Sequence, residues 1–351
     1  MLFYEGLEEV IFSKHEILSE APDELIIISG FLGPAPVNRL KELSDMTDMK
    51  VTVVGGMYPN GIDVRLLDAL EKCNKDNQNL KIVFSSQEIH SKIYIWKKDG
   101  KTLGALIGSA NFSSNGLRTD YRETLADATR DTFTPLDSYF QSVLKNSTDR
   151  PKLKKDQAIV DFSSIKTNDD IVEISDNARS VEISLLDPRH DEVPSSSGLN
   201  WGCGRLTSDS HVAQGDAYIR IPKSIIKDNP DFIKPFDPEY ETPKGKRKRN
   251  SDPIELIWDD GVVMEASLEG VQKYNEQSYP KQLASYSPKK PYLNGQRISK
   301  KSILGRYLRN RLNVGVDEII TKQILEGYGR TSITLSLVGE GVYFADFSVD
   351  K

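Results

Sequence analysis

The chain has 351 residues, of which 38% are hydrophobic and 28% charged, with a formal net charge of −6. That length suits one large core or two ordinary ones, and a prior of roughly 100 to 200 residues per domain favours two. The composition excludes wholesale disorder, and the negative total argues against indiscriminate polyanion binding by the whole surface.

The N-terminus, Met1 to Glu9, has neither a basic region nor an apolar stretch that would read as a leader. No run approaches the roughly 18 apolar residues that span a bilayer, so a cytoplasmic protein is predicted. The two cysteines, Cys73 and Cys203, are far apart and have no second thiol or histidine at zinc-ligand spacing. They are expected to be reduced and packed.

Taken in chain order, Leu25 to Ile28 is a β-branched run, and Pro36 to Leu43 has helical spacing through Val37, Leu40 and Leu43. Lys50 to Val54 reads as a strand, and the stretch from about Asp63 to Lys75 as a helix with Val64, Leu66, Leu67 and Leu70 on one side. Strands follow at Leu80 to Phe84, Lys92 to Trp96, Gly104 to Ile107 and Glu123 to Ala128, then a helix around Leu136 to Leu144. This alternation predicts an α/β domain with a mixed sheet flanked by helices.

The composition turns polar from Lys145 to Asp170. The domain reading is therefore 1–150, a linker at 151–175, and a second domain over 176–351. In that second domain strand follows strand: Val181 to Leu185, Ala217 to Ile221, Pro253 to Trp258, Val262 to Ser267, Ser332 to Val338 and Val342 to Phe347. Helical stretches lie near Lys223 to Ile226 and Ser302 to Leu312. A mainly β barrel or sandwich with a few helices is predicted.

The most informative segment is Ile89-His-Ser-Lys-Ile-Tyr-Ile-Trp96, followed by Leu106-Ile-Gly-Ser-Ala-Asn-Phe112. Residues two apart on a strand face the same side, so His90 and Lys92 project together while Ile93 and Ile95 turn to the core. Gly108 and Ser109 end the next strand, from which Asn111 can turn back toward the same mouth. These residues resemble the phospholipase D superfamily, whose active site is built from His-x-Lys followed by Gly-Ser-x-Asn on the adjacent strand. The resemblance covers roughly Leu25 to Leu144. The longer pattern places an Asp five residues after the Lys, where this chain has Lys97; that departure points away from the lipases and toward the nuclease branch. Members of that branch also carry an acidic residue on the following strand, a place that Glu123 fits.

The resemblance implies catalytic roles for His90, Lys92, Ser109, Asn111 and Glu123, and elementary chemistry agrees. A neutral imidazole, with an ordinary pKa of about 6.5, is a competent nucleophile at neutral pH, and its attack on phosphorus would give a phosphohistidine. Lys92 and Asn111, with Ser109 as a further donor, would meet the non-bridging oxygens where charge develops. Glu123 would hold the far ring nitrogen of the histidine. His15, His190 and His211 have no lysine two residues on. The superfamily pairs two such motifs, so a homodimer with one composite site is expected. No carboxylate cluster suited to magnesium or manganese stands out, and metal-independent hydrolysis is predicted.

In the second domain, Asp187 to Gly202 and Gly270 to Asn294 are two long polar excursions, and the strand Ala217 to Ile221 runs through Pro222 into a helix. This layout is similar to the plant B3-like DNA-binding pseudobarrel, whose two loop arms grip the major groove. Joined to a phospholipase D nuclease, it resembles type II restriction endonucleases of the NgoFVII and BfiI kind, with Ser197-Gly-Leu-Asn-Trp-Gly202 as the most similar phrase. Position in the arms nominates Asp187, Arg189, Asn200, Trp201 and Arg205 from the first, and Tyr279, Lys281 and Gln282 from the second. Arg and Lys pair with guanine, Asn and Gln with adenine, and Asp with the cytosine amino group. From Lys281 to Arg311 there are nine basic residues and no acidic one, a stretch expected to supply phosphate contacts. Lys244 to Arg249 is expected to be an exposed loop.

The expected partner is double-stranded DNA. The chain has no complete ATP-binding loop of the Gly-x-x-x-x-Gly-Lys-Ser/Thr type, so any nucleotide dependence would come from a helicase-like ATPase subunit, as the resemblance implies. A lipid phosphodiesterase is disfavoured because no membrane-binding segment is visible. An inactive DNA-binding regulator is disfavoured because His90, Lys92, Asn111 and Glu123 are all present.

Overall fold

The structure, a computed structural model, describes residues 1–154, 180–203, 212–239, 251–287 and 290–349. They gather chiefly into two compact units, one before and one after the expected linker. The linker beyond Lys154, Arg205, and the basic run Lys244 to Arg249 lie outside the described residues.

The N-terminal unit runs β1 (Leu2–Phe3), α1 (Leu7–Ser13), β2 (Glu24–Ser29), α2 (Pro34–Thr47), β3 (Lys50–Gly55), α3 (Val64–Lys75), β4 (Leu80–Ser85), β5 (Lys92–Lys98) and β6 (Lys101–Gly108). It continues through α4 (Ser114–Leu117), β7 (Leu125–Asp127), α5 (Phe133–Lys145) and β8 (Ser147–Thr148). One sheet has the order β1-β7-β6-β5-β2-β3-β4-β8. β3 runs parallel to β2 and to β4, while β5 is antiparallel to both β2 and β6, so the sheet is mixed.

β5 is covered on both faces. Ile93 and Ile95 pack in one cluster with Leu136, Phe140 and Val143 of α5. The alternate residues Tyr94 and Trp96 are fully buried as well, with Tyr94 edge-on to Phe112. Each such side chain withdrawn from water contributes about 1.5–3 kcal/mol before the entropy of ordering it is subtracted. The helix at Val64–Lys75 starts where expected, with the Asp63 carboxylate accepting from Arg65 N at 3.0 Å. Its buried stripe is Leu66, Ala69, Leu70 and Cys73, whereas Val64 is exposed. Val64 opens the helix two residues before Leu66, about 200° round from it, and so lies on the opposite side from the stripe.

The last expected strand, Glu123 to Ala128, is shorter than predicted and begins at Leu125. Ser109 Oγ accepts the Thr124 N–H at 3.1 Å. A side chain thus takes the place of a strand carbonyl there, and Glu123 stands ahead of the strand, not on it.

The C-terminal unit contains β9 (Ser180–Ser184), β10 (Ile219–Arg220), α6 (Lys223–Asp228), β11 (Ser251–Trp258), β12 (Val263–Glu269), β13 (Gln272–Tyr274), β14 (Gln277–Tyr279) and β15 (Gln282–Ser285). After these come β16 (Tyr292–Leu293), β17 (Gln296–Arg297), α7 (Ser302–Leu312), α8 (Lys322–Tyr328), β18 (Ser332–Gly339) and β19 (Val342–Asp346). A seven-stranded sheet of order β10-β15-β12-β11-β19-β18-β9 makes the unit mainly β and barrel-like, as predicted. Its core joins Ile183, Ile219, Leu256, Leu283, Leu304 and Phe347 from nearly every element.

The second excursion, Gly270 to Asn294, is not one open loop. It holds the hairpin β13–β14, then β15, which pairs with both β10 and β12. Four residues behind Pro280 and Lys281 give too little alternation to be read as a strand, yet Leu283, Ala284 and Ser285 are buried.

Candidate active site and nucleic-acid interface

Three sheet ends meet at the N-terminal site. β2 closes at Ser29, β5 opens at Lys92, and β6 closes at Gly108, with Ile28 opposite Ile93 and Lys92 opposite Gly108. A methyl group built on Gly108 would fall 1.9 Å from the Thr124 carbonyl oxygen, so only glycine lets β7 approach here. His90 lies just before β5, on the connection that leads into it.

The His90 side chain is 65% exposed, and its Nε2 lies 3.2 Å from Glu88 Oε1. The Lys92 ammonium donates to the His90 carbonyl at 2.5 Å. Asn111 follows Gly108 by three residues. Its Oδ1 accepts from Phe31 N at 3.1 Å and from Ser29 Oγ at 3.4 Å, and its amide nitrogen donates to Glu340 Oε2 at 3.1 Å, in a short segment that groups with this unit. Ser29 Oγ also accepts from Phe112 N at 2.8 Å, and the Tyr94 hydroxyl donates to the Ala110 carbonyl at 2.8 Å, so the loop carrying Asn111 is fastened from below. A methyl group built on Gly30 would lie 3.2 Å from Asn111 Oδ1 and 3.5 Å from the Ile89 carbonyl oxygen. Gly30 therefore fills the seam between the asparagine and the backbone that presents His90.

The other two expected residues sit differently. Ser109 is exposed and spends its Oγ on Thr124 N. Glu123 is half-buried and makes no hydrogen bond to His90; the residue that reaches the imidazole is Glu88. The charge of Glu123 acts instead on Tyr94, whose phenol is pushed above its ordinary range by burial and by that carboxylate. Glu88 and Ser29 were missed in the sequence. Glu88 is two residues before His90, a spacing that puts two side chains on one side wherever a chain is extended, so a signal was available. Ser29 at the end of an isoleucine run carried no signal. Lys97, at the place of the family's aspartate, is buried with its ammonium 2.9 Å from Asp137 Oδ1, about 17 Å down the strand from Lys92 at roughly 3.3 Å per residue.

Among the described residues no three His, Cys, Asp or Glu side chains converge as a metal site, and no helix is long and apolar enough to cross a membrane.

In the C-terminal unit, Asp187 Oδ1 accepts from Arg189 N at 2.9 Å and lies 3.2 Å from His190 Nδ1, closing a turn that leaves Arg189 exposed. The backbone bond from Arg189, with His190 adding, holds the Asp187 carboxyl below its ordinary value in spite of desolvation. Trp201 is half-buried, edge-on to Tyr218 with centroids 5.5 Å apart, and the Lys301 ammonium stands 5.1 Å from its ring. Lys281 is exposed. Gln282 donates to Glu269 Oε1 at 2.9 Å, an oxygen that also takes the Lys301 ammonium. Lys281 and Gln282 line a cleft of about 450 Å³ together with Tyr218, Arg220, Lys223 and Gln272. Arg220 and Lys223 were not singled out in the sequence, because they flank the Ile-Pro turn and not an arm.

Two expected readers turn inward. Asn200 is fully buried: its Nδ2 donates to the carbonyls of Pro194 and Ile320, and its Oδ1 accepts from Ile320 N at 2.8 Å. With its amide satisfied inside the unit, it shapes the arm and meets no base edge. Tyr279 is 5% exposed and donates its hydroxyl to Gln277. The acid-free stretch is corrected likewise. Arg309 is buried against Asn200 and the Cys203 sulfur, and Arg311 makes a two-pronged bond to Asp259 at 2.6 and 2.7 Å. Acids distant in sequence reach cations that have none nearby in the chain.

The fold and the site define a phospholipase D-type nuclease domain joined to a B3-like DNA-binding domain. Family models match in the same order: the N-terminal PLD domain of the NgoFVII restriction endonuclease over residues 5–161, and the NgoFVII C-terminal B3-like DNA-binding domain over residues 173–339. The chain belongs to the NgoFVII restriction endonuclease family and is a nuclease of the phospholipase D superfamily, a phosphodiesterase. Among solved structures it is similar to NucT from Helicobacter pylori, with 19% identity, TM-score 0.32, and coverage of 42% of this chain and 96% of that one. It is also similar to Nuc from Salmonella typhimurium, a phospholipase D family member, with 12% identity, TM-score 0.27, and coverage of 41% and 89%. A polyphosphate kinase from Porphyromonas gingivalis matches at 13% identity and TM-score 0.31, over 45% of this chain and 25% of that one. No curated protein sequence matches the chain.

Proposed function

We propose that the protein cuts duplex DNA at a specific sequence as the nuclease of a restriction-modification system, without a metal ion and through a covalent phosphohistidine. The observation that supports this most is the placement of His90, Lys92 and Asn111 at one sheet end, with the imidazole exposed and the asparagine oxygen already engaged. His90 attacks phosphorus; the P–N bond forms as the bond to the leaving oxygen breaks, and that oxygen takes a proton from an acid. Water then adds to phosphorus and the P–N bond breaks, which returns the imidazole. Lys92 and the Asn111 amide nitrogen meet the charge that builds on the non-bridging oxygens. Glu88, in contact with the ring, orients the imidazole; Glu123 acts from further off by its charge, and Ser109 keeps the strand end in place.

One chain holds one His-x-Lys, so the acid is assigned to the same histidine of a second copy in a homodimer. On the C-terminal unit, Arg189, Trp201, Arg220, Lys223, Lys281 and Gln282 are the residues proposed to meet DNA, with Asp187 setting the turn before Arg189. Any nucleotide requirement is assigned to a separate ATPase subunit. The test is cleavage of mixed duplex DNA in excess chelator, with a denaturing quench at alkaline pH to trap a protein–DNA adduct. Cleavage with an acid-labile, His90-dependent adduct is expected; strict dependence on a divalent ion, or activity retained in His90→Ala, would overturn the mechanism.

A further inference from the structure

One element of the C-terminal unit begins at the end of the second arm, continues past it, and stands apart from the seven-stranded sheet. β16 and β17 pair only with each other among the described residues. They are joined by Asn294-Gly295 with φ values of 49° and 77°, the geometry of the two-residue turn that matches strand twist. Every residue from Tyr292 to Arg297 is exposed, Tyr292 by 60% and Leu293 by 45%. A lone two-stranded ribbon is marginal in water, and this one holds aromatic and aliphatic side chains out into solvent.

The ribbon has two unlike faces. Tyr292 stands opposite Arg297, whose Nε donates to the tyrosine hydroxyl at 2.6 Å, while Leu293 stands opposite Gln296. The arginine is thereby held in one orientation. Its base is tied to the body at the edge that carries the arms: Ser285 Oγ donates to the Lys300 carbonyl at 2.8 Å, and Lys301 reaches both Glu269 and the ring of Trp201. The chain leaving the ribbon therefore meets the body beside Gln282 and Trp201, through Lys301. The sequence around it, from Lys281 to Arg311, contains no acid, and Lys290 and Arg297 both face solvent.

We infer that this ribbon is a third DNA-contacting element, which holds the duplex outside the base pairs met by the two arms. Arg297 meets backbone phosphate and the Tyr292 ring lies against the sugar edge. The ribbon's exposed cations suit a polyanion. A protein partner is the poorer fit because the two apolar residues lie on opposite faces and form no continuous patch. The inference rests on the proposed DNA-binding reading of this unit.

The test uses the full chain carrying His90→Ala, so that DNA is bound and not cut, and a mixed-sequence duplex titrated across a range of salt. The double variant Tyr292→Ala/Arg297→Ala should bind about tenfold more weakly, with a log K against log salt slope shallower by roughly one, at an unchanged melting temperature. Lys281→Ala serves as the arm control. Binding lost in the arm control but unchanged in the ribbon variant overturns the ribbon and leaves the DNA-binding reading standing. No duplex binding by the parent chain overturns both. A ribbon variant with a changed oligomeric state and unchanged DNA affinity gives the ribbon to a protein contact and sinks the inference.

Discussion

The N-terminal unit carries its candidate residues at the ends of strands buried on both faces, whereas the C-terminal unit carries its candidates on connections. Lys92 opens a strand whose next residues are locked into the core, Tyr94 among them, and His90 stands two residues ahead of it. In the arms, neighbours in sequence part company: Arg189 faces solvent, Asn200 is wholly enclosed, Trp201 is half covered, and Tyr279 packs while Lys281 two residues on is exposed. A site built on strand ends inherits its directions from the backbone, and a site built on loops takes them from whatever packs beneath. Polar residue type in an arm is therefore weak grounds for naming a reader of DNA.

The largest expected effect comes from the strand-borne site. His90→Ala should lower cleavage by about 10⁴-fold or more while leaving the melting temperature within error, since the side chain is mostly exposed. A modest loss would mean that the imidazole is not the nucleophile, and the contrast between the two regions would fail at its stronger end.

Gly108→Ala tests the seam below that site. With 1.9 Å between the added carbon and the Thr124 carbonyl, β7 must move, and a loss of about 1–3 kcal/mol in stability by denaturant melt is expected, together with reduced cleavage. An unaffected variant would show that β7 has room to shift.

The arms offer the matched pair. Asn200→Ala strands the Ile320 N–H and C=O and the Pro194 carbonyl, and should cost about 1–3 kcal/mol of stability in the C-terminal unit. Lys281→Ala should leave stability unchanged, weaken duplex binding several-fold, and make the salt dependence shallower by roughly one. Calorimetry and a salt titration on both variants separate a residue that shapes the arm from one that meets DNA. If Asn200→Ala were stable and lost only binding, the inward assignment would be wrong. The smallest effect is expected from chelation: cleavage rates in excess chelator should match those without it.

Much of the N-terminal unit was legible because its signals are local. An isoleucine run, a capped helix at Asp63 and a His-x-Lys on an apolar strand each announce themselves within a few residues. Ser29 and Gly30 were not legible, for their importance lies in what crosses them: the Asn111 loop arrives from 80 residues away. The same limit hid the pairing of Arg311 with Asp259 across 52 residues, which converts an expected phosphate contact into an internal brace.

The chain by itself determined that there are two domains, that one alternates strands with helices, and that a histidine stands two residues ahead of a lysine that opens an apolar strand. Those properties follow from backbone periods of two and about 3.6 residues, which need no knowledge of distant neighbours. Only the tertiary structure decided that Glu88 and not Glu123 touches the imidazole, that Asn200, Arg309 and Arg311 are spent inside, and that β16 and β17 stand alone. A polar side chain on a connection bonds whatever folding brings within about 3 Å of it, and that partner is set by contacts made far along the chain.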